Sequence, residues 1–175
     1  MSRVGAAHAR RIEASEQIRA LDTLAEPDYA AAWEVTIADG DARSAEQWAR
    51  ATFEDAPRAL RAFIVTGWRV GLGLRLGPRP SPDHVLGWKI VTAAANPIVL
   101  SVQSALLGSA HLVLRVEGSR AVLASFVRYE KLGARPIWSA TQPIHHRIVP
   151  YLLRRAASRS HSTVGKLCAT PTTRT

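Results

Sequence analysis

His145 and His146 are the side chains of this 175-residue chain best suited to moving a proton near neutral pH. They lie in a run, 136–157, where Ile144, Ile148 and Leu152 recur at helical spacing. At about 100° per residue, His145 falls beside that apolar stripe and His146 falls away from it. A histidine so placed can serve as general acid or base in a cavity. It can equally well be held by a hydrogen bond at a cavity's edge, and no acidic partner that would tune it is identifiable. A metal centre needs further inward ligands at a spacing such as HExxH, which is absent, so neither metal nor cofactor is expected.

Tryptophan is the second chemical signal, with five residues against three phenylalanines. Trp33, Trp68, Trp88 and Trp138 fall on apolar faces of four different elements. Core packing accounts for them through their large buried area. A pocket wall whose indole N–H groups orient a ligand accounts for them too. His111 and Arg115 project from the strand face opposite Leu112 and Leu114, and outward alternation predicts that they are solvated. Were that face inward, Arg115 could hold a carboxylate. Gly71-Leu72-Gly73 with Gly77 is no dinucleotide loop, because it follows a helix and precedes prolines. Gly165-Lys166 lacks the rest of a phosphate loop, and no nucleophile elbow or Ser-His-Asp spacing occurs.

The elements that must position these groups follow from periodicity. Residues 29–37 alternate as a strand with Trp33, Val35 and Ile37 on one face, and Asp39-Gly40-Asp41 ends it. Ser44 and Gln47 form a capping box that opens a helix. Pro57 starts a second helix with Leu60, Ile64 and Trp68 as its stripe. A Gly- and Pro-rich connector leads to four strand runs at 84–92, 97–106, 110–117 and 120–129. Asn96-Pro97 and Gly108-Ser109 break the first three, and Gly118-Ser119 is a two-residue hairpin signal. Each run has one apolar and one mixed face, which predicts an antiparallel sheet packed on one side only. Pro136, Pro143 and Pro150 recur every seven residues in the final run. They predict a bent helix, or one beginning near Ser139, where Gln142 completes a second capping box.

The net charge is +9, and residues 132–175 contribute seven basic and no acidic side chains. Such a one-signed end can steer toward phosphates or an anionic membrane, or can be a solvated helix end with a tail. Cys168 is the single cysteine, so no disulfide framework exists and a reducing cytoplasm is expected. No leader-like segment and no apolar run of about 18 residues occurs, which predicts a soluble cytosolic protein. Residues 1–27 read as an N-terminal arm or short helix, 28–157 as the domain, and 158–175 as a disordered basic tail.

Taken together, the order of elements resembles the helix-grip fold of the START, SRPBCC and polyketide-cyclase-like superfamily. That is an α+β fold with an antiparallel sheet wrapped on a long C-terminal helix and two short helices after the first strand. This chain would be a short version with at least five strands. The segments GWKIVTAAANPIVLSVQSALLGSAHLVLRV (87–116), SRAVLASFVRYEKLGARPIW (119–138) and HHRIVPYLLRRAA (145–157) resemble an uncharacterised bacterial branch of that group. The resemblance implies a hydrophobic cavity between sheet and closing helix for a lipid-, polyketide- or aromatic-like molecule. Its expected lining from the sheet is Leu86, Trp88, Ile90, Leu100, Val102, Leu114 and Leu123. From the helix it is Trp138, Ile144 and His145. The alternatives are a cyclase or dehydratase in the same cavity with His145 as proton carrier, and a basic segment (147–174) on nucleic acid or an anionic membrane. Aromatics are absent from 152–175, which makes base stacking, and with it nucleic acid, the less favoured partner. Monomer and homodimer both remain open.

Overall fold

The computed structural model describes residues 8–167 apart from Asp39 and Ala93, with side chains as far as Arg159. Cys168, the tail beyond it and the Asp39 turn position lie outside the described residues. The fold is α+β. Strands β1 (Ala9–Ile12), β2 (Tyr29–Thr36), β3 (His84–Val85), β4 (Trp88–Ile90), β5 (Ile98–Ser104), β6 (Gly108–Glu117) and β7 (Arg120–Tyr129) form one sheet. Its order is β1-β2-β7-β6-β5-β4-β3, and every pairing is antiparallel. Helices α1 (Glu16–Ala20), α2 (Ala45–Phe53), α3 (Arg58–Thr66) and α4 (Ala134–Leu167) complete it, with a π-helical turn at Gly67–Gly71 extending α3.

Local chemistry explains most boundaries. Ser44 caps α2, its hydroxyl accepting from Gln47 N–H while the Gln47 side chain accepts from Ser44 N–H. Pro57 sits at the N-cap of α3, where its missing donor is not needed. Glu117 pairs with Arg120 around Gly118, whose φ of 52° supplies the left-handed residue this tight turn requires.

Several expectations are corrected. Residues 84–92 are not one strand but a hairpin, in which Val85 pairs with Trp88 around Leu86 and Gly87, both at positive φ. Such a turn usually advertises itself with Asn or Asp, and leucine at φ 47° hides it. Ser104 pairs with Gly108, so the β5–β6 turn falls at 105–107 and Gly108-Ser109 begins β6. Helix α4 starts at Ala134, so Ser139 is inside it rather than capping it. Pro143 and Pro150 lie within the same helix, which continues past 157 to Leu167.

The sheet is also not packed on one side only. Its inner face carries Trp33, Val35, Leu100, Leu114 and Leu123 against α2 and α4. Its outer face buries Ala32, Val99, Val113, Val122, Ala124 and Phe126 under Ala14 and Ile18 of the N-terminal segment. Residues 8–27 therefore supply an edge strand, β1, and a covering helix, α1. Among the described residues no helix is long and apolar enough to cross a membrane.

Candidate functional site

A cavity of about 220 Å³ opens between the inner face of the sheet, the α3–π wall and α4. The register of β6 and β7 shows why it is there. The inward pairs Val116↔Ala121 and Leu114↔Leu123 hold one half of that face, where α2 packs Trp48 and Ala49. The next inward pairs, Leu112↔Ser125 and Ala110↔Val127, line the hollow. Replacing leucine by alanine and serine at the floor removes volume that nothing above restores.

The rest of the wall is aromatic. Trp68 of the π-helical turn meets Trp88 edge-on at 5.5 Å between ring centroids and Phe53 at 6.1 Å. Trp138 closes the far side. Phe63, Gly67, Gly71 and Ile144 line the same cavity yet are exposed, so they mark its mouth.

The polar inventory is small. Ser125, Thr141, His145 and His111 border the hollow, His111 with its ring bound to Asp22. Ser125 Oγ is 3.3 Å from His145 Nε2, and Thr141 donates to the Ile137 carbonyl at 2.9 Å. His145 is half-buried and borders the cavity. Its ring meets Trp33 edge-on at 5.1 Å and Trp138 at a tilt at 5.2 Å between centroids. Burial, then the neighbouring His146 and Arg11, pull its pKa down to about 3, so the imidazole is neutral at physiological pH. Its Nδ1 and the Nε1 atoms of Trp88 and Trp138 are buried without hydrogen-bond partners. A neutral imidazole of this kind is a hydrogen-bonding group and a weak base, not a proton carrier poised near neutrality. Among the described residues no carboxylate lines the cavity, and no group of His, Cys, Asp or Glu could hold a metal ion.

Of the residues expected to line a pocket, Trp88, Trp138, Ile144 and His145 do so. Leu114 and Leu123 fill the solid half of the core, and Leu100, opposite Leu112 in the register, is buried without lining the hollow; all three are 1% exposed. Val102, opposite Ala110, is buried without lining the hollow, Leu86 is a turn residue whose N–H donates to Glu54 Oε1, and Ile90 packs partly buried against the core. Trp68, one of the four tryptophans for which periodicity left a pocket wall open, lines the cavity, whereas Ala110 and Ser125 carry no such signal in the sequence. Their small size is a signal only once the register is known.

His146 does not point away. Its Nε2 lies 2.8 Å from the Tyr29 hydroxyl, and its ring meets Trp33 at 5.8 Å. The inward face of α4 is broader than the Ile144–Leu152 stripe, and both histidines rest on β2. Burial pushes the Tyr29 phenol up to about 12 and lowers the His146 pKa, to which Arg11 also contributes. His111 and Arg115 do face outward, but His111 is 8% exposed and binds Asp22 Oδ1 at 2.7 Å under the N-terminal segment. Arg115 pairs with Glu117 at 2.6 Å.

No protein-family model matches the chain, and no curated protein matches it. A solution NMR structure of a protein from Arthrobacter aurescens is similar over 78% of this chain and 93% of that one, with 12% identity and a TM-score of 0.40.

Proposed function

We propose that this chain is a helix-grip-type module that binds one small aromatic molecule in the hollow between sheet and α4. The observation that carries the reading is the 220 Å³ cavity walled by Trp68, Trp88 and Trp138. Its size narrows the expected guest. A dry apolar cavity of about 150 Å³ accepts benzene, so this one suits a one- or two-ring compound and is too small for a long-chain lipid or a multi-ring polyketide. Two indole N–H groups in the walls have no acceptor, at a cost of about 1–3 kcal/mol each. A guest oxygen reaching one after a small ring rotation would recover part of that. Ser125, Thr141 and neutral His145 supply further hydrogen-bonding positions. Binding, rather than cyclase or dehydratase chemistry, follows from a polar set with one imidazole held neutral.

Titration calorimetry of benzyl alcohol, 1-naphthol and palmitate tests this. Saturable one-to-one binding of the naphthol, with quenching of tryptophan emission, is expected, and palmitate should not enter. Failure of both ring compounds to bind the folded chain refutes the reading.

A further inference from the structure

Of the seven large apolar side chains that the described residues leave exposed, Phe63 and Ile144 line the cavity mouth, and Val70 and Tyr151 stand on the same two elements, next to the lining residues Gly71 and Leu152. Exposure is 57% for Phe63 and 78% for Val70 on the α3–π wall, and 49% for Ile144 and 42% for Tyr151 on α4. Phe63 lines the cavity from α3, and Val70 lies between Gly67 and Gly71, which line it from the π-helical turn, so both stand beside the opening. Ile144 and Tyr151 are seven residues apart, close to two helical turns, with Arg147 and Ile148 on the same side of α4. Phe63 and Gly67 line the same cavity as Ile144 and Ile148, so the two faces adjoin at its opening.

The charge of these walls has one sign. Residues 56–82 carry Arg58, Arg61, Arg69, Arg75 and Arg79 and no carboxylate. Residues 134–167 carry Arg135, Arg147, Arg154, Arg155, Arg159 and Lys166 and no carboxylate. Arg69 and Arg147 are exposed beside the apolar rim, and among the described residues neither forms an ion pair. An apolar rim set among cations with no interspersed acid is complementary to an anionic lipid interface, where apolar groups enter the headgroup boundary and arginines meet phosphates.

We propose that the cavity mouth docks on an anionic membrane surface through Phe63, Val70, Ile144 and Tyr151, with Arg69 and Arg147 engaging the lipid headgroups. This deepens the cavity reading by naming the source of the guest, an apolar compound partitioned into the bilayer, and the docking itself needs no guest.

The test is co-sedimentation of the full chain with vesicles of phosphatidylcholine and of an equal mixture of phosphatidylcholine and phosphatidylglycerol. Binding to the mixed vesicles alone, released by high salt, is expected. Phe63→Ser/Val70→Ser should abolish it. Arg69→Gln/Arg147→Gln should weaken it roughly 25-fold, about fivefold per arginine. All four positions are exposed, so both variants should keep the parent circular dichroism spectrum. No binding to anionic vesicles overturns the proposal. So does undiminished binding by both variants, which would assign it to basic residues elsewhere, or a dimer lost in the Phe63/Val70 variant without any vesicle binding. Ala110→Leu, which fills the cavity floor, should still dock, so loss of naphthol binding and loss of docking report on separate claims.

Discussion

Ala110→Leu turns the void into a measurement. Ala110 is 5% exposed, faces inward opposite Val127, and lines the hollow. Leucine adds three carbons to a site where 220 Å³ stands open. At about 0.8 kcal/mol per buried methylene the transfer gain is about 2.4 kcal/mol. For a chain of this length that gain raises Tm by about 5–10 °C. Urea unfolding and calorimetry of the two proteins, alongside naphthol titration, provide the assay. A stabilised variant that no longer binds naphthol is expected. Overpacking costs about 1–3 kcal/mol, so a destabilised Ala110→Leu would show that the side chains already meet over Ala110 and refute the reasoning.

Three further outcomes follow from the geometry. The folded state holds His145 at a pKa of about 3 against 6.5 for the ordinary imidazole, so below pH 6.5 the unfolded chain binds a proton that the folded chain refuses. His145→Gln should remove up to about 1.4 kcal/mol of stability loss per pH unit between 6.5 and 3, and parallel urea midpoints for both proteins at pH 7, 6, 5 and 4 would contradict this. Ser44→Ala deletes the N-cap of α2 and should cost about 1 kcal/mol with no change in naphthol affinity. Asp22→Ala leaves a buried His111 without its partner and should cost about 2 kcal/mol, with faster hydrogen exchange at Val113 and Phe126 under the uncovered outer face.

Alternation and turn chemistry made much of the sheet legible. Strands β2, β5, β6 and β7 are long enough for period two to stand out, and Ser44–Gln47 and Gly118 carry their signals locally. Short elements escaped because their evidence is not local. Strand β3 has two residues, and its turn puts a leucine where the backbone favours Asn or Gly. Strand β1 reads as a charged arm until β2 pairs with it. The cavity divides along the same line. Tryptophan content and the helical placement of His145 pointed to it, but the boundary between solid and hollow core is a matter of register. Leu114 and Ala110 look like neighbours on one apolar stripe, and pairing with Leu123 or Val127 decides which of them meets a filled layer.

The two margins of the seven-strand sheet bear on self-assembly. An open sheet presents unpaired backbone donors and acceptors at each end, a template on which a further chain could stack. Here one margin is the four-residue β1, with Arg10 and Arg11 at its centre, and the other is the two-residue β3, preceded by Pro80 and Pro82. Both margins are short and guarded by cations or prolines, features that disfavour the addition of another strand at either end.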